Sequence, residues 1–271
     1  MTVFYRAMLR KLLDHGIVGP DDSLLVVAGG PRDSEALASC GFKHAIISNL
    51  DSYDAPSILQ PYEWSHQDAE HLEFEDEAFD FAIIHEGLHH CLSPHRALRD
   101  LYRVSRRGVM IIEPKDNWIT RLGTILNIGQ VYEHAAVFYN DCLQGGVRNT
   151  NIPNYIYRWT ASEIRKTVTC FAPYGEHRFL FVNRLVLPLT QLKGRKNRLI
   201  YWLVIAIYPA LKLLDALVPG FGNNFAAVIL KPKLPREMHP WLEFKDGKFG
   251  PNTAWLEQKY RDVPEGRDDI L

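Results

Sequence analysis

The residues with the densest chemical potential lie at positions 85–90, His-Glu-Gly-Leu-His-His. The first five form a literal H-E-x-x-H, the spacing by which two histidines on one helical face bind zinc while the glutamate acts as base. That chemistry needs a helix, and the flanks do not supply one. A strand-like run, AFDFAII, precedes the motif, a glycine sits inside it, and Cys-Leu-Ser-Pro follows. A loop after a strand explains the same residues, so no metal is assigned, and a zinc hydrolase stands as a rival reading from another class. A second cluster lies earlier. Residues 24–27 are apolar and end at Ala28, Gly29 and Gly30; a helical segment opens near Asp33, and an apolar run at 45–47 leads to Asn49 and Asp51. A glycine turn at the carboxyl end of a strand admits a ligand close to the backbone, and the helix behind it turns N–H groups and a positive dipole end toward that ligand. An acidic side chain about 20 residues further on, at the tip of the second strand, is placed to accept hydrogen bonds from ribose hydroxyls. This is the plan of a nucleotide-type or nucleoside-type cofactor site.

The elements that must position these groups can be read from pattern. Residues 1–19 predict a short N-terminal helix with apolar positions at helical spacing and no small-residue cleavage site, so a signal peptide is not expected. A turn at 19–22 precedes the first strand, and a small strand is expected near 62–65 after a loop or short helix at 56–61. Residues 79–84 and 108–112 read as strands, and 94–104 as a helix through Ala97, Leu98, Leu101 and Val104. Short buried strands alternating with helices imply right-handed crossovers and a parallel sheet. The segment 115–158 has no clean period and is expected to be a functional cover or to hold short helices of its own. Thr160 and Glu163 form a capping box for a helix to about 171, and late strands are expected within 174–187 and at 224–230.

Between these late strands, residues 199–211 are uncharged and apolar, shorter than the ~18–20 residues that span a bilayer. The plain reading is a buried crossover helix over about 197–218, which Pro209 would kink. An interfacial membrane helix, aided by the basic cluster at 193–198, or a homodimer contact is the alternative. Residues 232–271 read as an irregular tail. A formal net charge of −1 over 271 residues, with the basic residues spread out, excludes the electrostatic footprint of a nucleic-acid binder. Cys40, Cys91, Cys142 and Cys170 show no C-x-x-C spacing and read as reduced thiols of a cytoplasmic, or membrane-associated, protein.

Taken together, VVAGG, SNLD, QDAEHLEFEDEAFDFAII, LHH and RALRDLYRVSRRGVMIIEP resemble class I S-adenosylmethionine-dependent methyltransferases, in particular the broad type that acts on small molecules. The resemblance covers residues 20–115 by motif and up to about 230 by element order. It implies an α/β, Rossmann-like methyltransferase domain over 20–231, a mostly parallel sheet with helices on both faces and a late antiparallel edge. It implies S-adenosylmethionine as methyl donor and S-adenosylhomocysteine as product. Ala28, Gly29, Gly30, Asp33 and Asn49 would form the turn side of the cofactor site, Asp51 would hold the ribose, Asp68 and Ala69 would meet the adenine, and His85 would stand near the sulfonium. The turn is abbreviated: Ala28 stands where relatives of this type have a first glycine, Val26 where they often have an acid, and Pro31 or Arg32 at the third glycine position. His89, His90 and Glu113 would line the acceptor site and serve catalysis, which favours an oxygen acceptor of the sugar or natural-product type, since a hydroxyl needs a base near neutral pH. Packing of His89 against the helix near Pro94 is the alternative role. Nitrogen or carbon acceptors, a catalytically silent scaffold and a nicotinamide-dependent oxidoreductase, the last lacking its G-x-G-x-x-G, complete the rival readings.

Overall fold

Residues 24–27 are apolar at every position because their strand is buried on both faces. The computed structural model describes residues 2–51, 59–194, 198–218 and 220–261. The first half runs α1 (Thr2–Asp14), β1 (Ser23–Val27), α2 (Pro31–Ser39), β2 (His44–Asn49), β3 (Glu63–His66), β4 (Phe79–His85), a 3-10 turn (Leu88–His90), α3 (Pro94–Val104) and β5 (Ser105–Pro114). The second half runs α4 (Trp118–Ile125), α5 (His134–Tyr139), α6 (Ala161–Phe171), β6 (Arg178–Arg184), α7 (Leu189–Lys193), α8 (Leu199–Leu217), β7 (Asn224–Leu230), β8 (Leu242–Lys245), β9 (Lys248–Pro251) and α9 (Thr253–Tyr260). The part of the 56–61 loop before Leu59, residues 195–197 of the basic cluster and the end of the tail from 262 lie outside the described residues.

One seven-stranded sheet has the order β3-β2-β1-β4-β5-β7-β6. Strand β1 pairs in parallel with β2 and β4, β2 with β3, and β4 with β5. Only β7 runs against its neighbours, lying between β5 and β6 and antiparallel to both. The late antiparallel edge is thus a pair whose last strand is inserted inside the one before it. The order reverses between β1 and β4, and a crevice opens at such a reversal beyond the carboxyl ends of the strands.

Period-two alternation divides the core into two layers. Leu24, Val26, Ile47, Phe81, Ile83, Met110 and Ile112 face α1 and α2, where they meet Tyr5, Leu9, Ala36 and Leu37. Leu25, Val27, Ala82, Ile84, Val109 and Ile111 face α3 and α6, where they meet Leu98, Leu101, Ile164 and Val168. The same alternation decides the faces of the polar residues at the strand ends: His85 follows Ile83 to the α1 side, and Glu113 follows Ile111 to the α3 side. Local signals start the helices on the second face. The Ser93 hydroxyl accepts from Arg96 N–H ahead of Pro94, and Thr160 and Glu163 cap α6 reciprocally.

Two expectations fail here. Helix α8 is not a buried crossover: of its side chains only Val204 is buried, while Leu199, Trp202, Leu203, Ile207, Leu213, Leu214 and Leu217 are exposed. The helix turns Tyr208, Lys212 and Asp215 toward the end of β6, and because the sheet is already covered by α1, α2, α3 and α6 its apolar side chains are left outside. With 19 residues and a mean hydropathy of 1.6 it is, by length and composition, the helix among the described residues that could cross a membrane, longer than its uncharged run suggested. The tail from 232 is not irregular either. Asp246-Gly247, with φ of 51° and 77°, makes the two-residue turn of the β8–β9 hairpin, and Asn252 caps α9.

Candidate active site

A cavity of about 270 Å³ lies at the carboxyl ends of β1, β2, β3 and β4. Its walls bring together Ala28, Asn49, Asp51, Asp68 and Ala69, five of the residues assigned to the cofactor from sequence. Asn49 donates from Nδ2 to the Gly29 carbonyl at 3.1 Å and to Asp51 Oδ2 at 3.3 Å, which ties the β2 tip to the glycine turn. Burial raises the Asp51 carboxyl above its ordinary range, and only His90 opposes this. Ala28 holds a left-handed φ of 54°, the conformation that a glycine would adopt freely. A Cβ on Gly29 would approach Val26 Cγ1 to 2.8 Å and Ile47 Cγ2 to 2.9 Å, so that glycine is required by packing beneath the turn.

Four assigned residues stand outside this cavity. Gly29 and Gly30 build the turn without lining it. Asp33 is the third residue of α2, and its Oδ2 accepts the Gly30 N–H at 2.9 Å, so the carboxylate closes the helix cap. His85 faces the opposite side of the sheet, stacks on Tyr5 of α1 with ring centroids 4.6 Å apart, and lines a second cavity with Phe4, Arg184 and Tyr208. The alternation of β4 is the reason. It also dissolves the H-E-x-x-H reading: His85 ends a strand, Glu86 has a left-handed φ of 56°, and His89 lies on a 3-10 turn.

At the other end of the cavity stand the residues expected to line an acceptor site. Glu113 is fully buried; Oε1 accepts Leu88 N–H at 2.8 Å and Oε2 meets His89 Nδ1 at 2.6 Å. Both oxygens are thus engaged by the loop that carries Leu88 and His89. His89 is 5% exposed, so it packs in the core, and its outer Nε2 stands 3.3 Å from Glu133 Oε2. His90 lines the cavity, with Nε2 at 3.4 Å from the same Glu133 oxygen and Nδ1 at 3.3 Å from the Gly146 carbonyl. Burial would lower the His89 pKa, but Glu113 and Glu133 raise it to about 10. Burial and the neighbouring His89 lower that of His90. Cys91, also on the cavity wall, is a thiol that burial pushes well up, so it is no nucleophile at neutral pH.

Residues from the segment 115–158 line the cavity. Ala136 and Asn140 of α5, with Gln144, Gly145, Gly146, Arg148 and Asn149 behind it, complete the walls. Arg148 pairs with Asp68 Oδ2 at 2.6 Å, and Asn149 donates to Asp51. Two carboxylates assigned to the cofactor are thus held by the cover itself. Tyr132 and Tyr139 are exposed and do not line the cavity. Sequence reasoning missed Arg148, Asn149 and Glu133, for which an aperiodic loop offers no signal. It saw Glu86 only as a zinc base, although a residue directly after a central strand is placed at the crevice; burial raises its carboxyl.

Residues 43–112, which run from β2 into β5, match the family profile described as a methyltransferase domain. No curated protein matches significantly in sequence. Solved structures similar to this chain include magnesium protoporphyrin IX methyltransferase from Synechocystis PCC 6803 with bound S-adenosylhomocysteine, 13% identical, covering 85% of this chain and 83% of that one at a TM-score of 0.49. A SAM-dependent methyltransferase from Archaeoglobus fulgidus is 16% identical, with 86% and 95% covered and a TM-score of 0.48. A SAM-dependent, possible histamine N-methyltransferase from Thermotoga maritima is 16% identical, with 83% and 89% covered and a TM-score of 0.46. Residues 43–112 thus resemble a methyltransferase domain, and the strand order around them is that of a Rossmann-like methyltransferase fold.

Proposed function

We propose that the protein transfers a methyl group from S-adenosylmethionine to an oxygen atom of a small-molecule acceptor at the corner formed by His89, His90 and Glu133. The observation that carries this reading is the His89–Glu113 pair at 2.6 Å, sealed beneath His90 at the end of a cavity whose other walls carry Asp51 and Asp68. The residues fit the donor: Asp51 is placed to accept from ribose hydroxyls, and Asp68 and Ala69 stand where an adenine edge would lie. When bound, the donor supplies a methyl group already activated on sulfonium, so little is asked of the protein beyond alignment and removal of a proton. Asn49 and Asp51 orient the ribose from the β2 tip, and the cover from α5 to Asn149 excludes water. Glu113 holds the His89 ring in one orientation, and His90 presents its ring to the cavity. A hydroxyl acceptor suits this corner because it must lose a proton as the methyl arrives, and His90 and the Glu133 carboxylate stand there to receive it.

Titration calorimetry with S-adenosylhomocysteine tests the donor side. Asp51→Ala should weaken binding by about 10–100-fold, the worth of hydrogen bonds to a charged group; no binding by the unaltered protein would sink the reading. Methyl transfer from labelled donor to panels of hydroxyl, amine and carbon acceptors tests the acceptor side, and faster turnover of amines would move the assignment to nitrogen. His90→Ala should lower kcat while leaving S-adenosylhomocysteine affinity within about twofold.

A further inference from the structure

We propose that His89, His90 and Glu133 form a binding site for a divalent cation of the zinc class at the acceptor end of the cavity. Each residue offers one ligand atom, and these atoms lie within 4.8 Å of one another. His89 Nε2 and His90 Nε2 stand 3.3 and 3.4 Å from the same Glu133 Oε2. Direct charge-assisted hydrogen bonds would close to about 2.7–2.9 Å, and both contacts stay longer. A tetrahedral zinc with bonds of about 2.0–2.2 Å separates its ligand atoms by roughly 3.3–3.5 Å, which matches both spacings.

The surroundings are those of a ligand set. A metal-binding imidazole has its far nitrogen held by a carboxylate or carbonyl, so that the lone pair of the near nitrogen is aimed. Here Glu113 holds His89 Nδ1 at 2.6 Å, and the Gly146 carbonyl faces His90 Nδ1 at 3.3 Å. Glu133 is held in turn by Asn154, whose Nδ2 lies 3.4 Å from Oε2 and donates to the His89 carbonyl at 3.0 Å. Asn154 is itself buried, and its backbone carbonyl accepts the Glu133 N–H at 3.0 Å. Two imidazoles and one carboxylate favour zinc or a neighbouring d-block ion over magnesium or calcium, which take oxygen ligands. Three protein ligands leave a fourth position for water or an acceptor oxygen, whose proton the cation would make easier to remove. The site shares only His89 with the H-E-x-x-H motif, and its third ligand comes from the cover segment. It stands on ligand geometry and does not depend on the methyltransferase reading.

The test is to strip the full chain with a chelator, dialyse it against zinc chloride, and measure bound zinc by atomic emission and affinity by competition with a chromophoric chelator. One zinc per chain is expected, and cobalt(II) in its place should show the intense visible bands of a four-coordinate ion. His90→Ala and Glu133→Gln, both folded by circular dichroism, should each weaken binding by at least about tenfold, and Glu113→Gln should do so by about 10–100-fold through His89. Stripped protein that takes up no zinc, or uptake that survives His90→Ala and Glu133→Gln unchanged, overturns the proposal. S-adenosylhomocysteine binding measured on the same samples separates the two readings: zinc uptake without it upholds the cation site and removes the methyltransferase assignment.

Discussion

Ala28 bears the conformational cost of the abbreviated AGGPRD turn. Its φ of 54° is left-handed, a region that costs an L-residue roughly 1–2 kcal/mol. Glycine would remove that cost while adding about 0.4–1 kcal/mol of unfolded-state entropy. Ala28→Gly should therefore raise stability by about 0.5–1 kcal/mol in urea unfolding, and a loss would show that the methyl group is held by packing. The neighbouring Gly87 sharpens the point, since a Cβ there would stand 2.6 Å from the Ala28 Cβ. The two turns at the cofactor edge are fitted to each other, and only one of them can carry a side chain.

At the scale of elements, the 3-10 turn Val147–Asn149 reaches across the crevice to the tips of β2 and β3. Arg148 and Asn149 are both left-handed, with φ of 49° and 56°, and they hold Asp68 and Asp51. A ribose binding to Asp51 must replace the Asn149 amide. Asn149→Ala should thus tighten S-adenosylhomocysteine binding severalfold by calorimetry; weaker binding would place Asn149 among the ligand's own contacts. At the opposite end of the sheet, α3 meets the start of β6, where Tyr102 OH lies 2.8 Å from His177 Nε2. Burial, with the nearby His239 and Lys231, lowers the His177 pKa to about 4; Glu77, paired with Lys231 at 3.6 Å, and Asp76 are acidic groups on this side. The native state therefore holds His177 neutral where the unfolded chain, with an ordinary pKa near 6.5, takes up a proton. The stability from this group is present above pH ~6.5 and is lost as pH falls toward 4, by up to roughly 3 kcal/mol. His177→Gln should flatten the acid limb of a melting-temperature profile, and an unchanged limb would assign acid lability to other groups.

At the scale of the whole molecule, α8 separates the chain from an ordinary α/β domain. Asp215 Oδ1 accepts Leu185 N–H at 2.8 Å and ties the helix to the end of β6, while its large apolar side chains meet solvent. Because Trp202 and Ile207 are exposed, Trp202→Gln and Ile207→Gln should change unfolding free energy by no more than about 0.5 kcal/mol. A loss of several kcal/mol would show these side chains buried in an assembled state. The same surface is where the membrane or dimer contact expected for this helix would form.

Much of the α/β plan was legible because each of its elements announces itself locally. The doubly buried strands read as short apolar runs, Ser93-Pro94 and Thr160-Glu163 mark helix starts, and Asn49 and Asp51 fall at a strand tip whatever lies around them. Hydrophobic period and capping chemistry are properties of neighbours in sequence, so one chain suffices to see them. Contacts between distant segments are not. That His85 turns away from the cavity while Glu113 turns beneath His89 depends on strand phase against two different helices. That Glu133, Arg148 and Asn149 reach the site depends on a cover with no period at all. The exposure of α8 depends on which faces of the sheet other helices already occupy. These were decided only by tertiary structure, because burial and hydrogen-bond partners belong to pairs of residues, while composition and spacing describe them one stretch at a time.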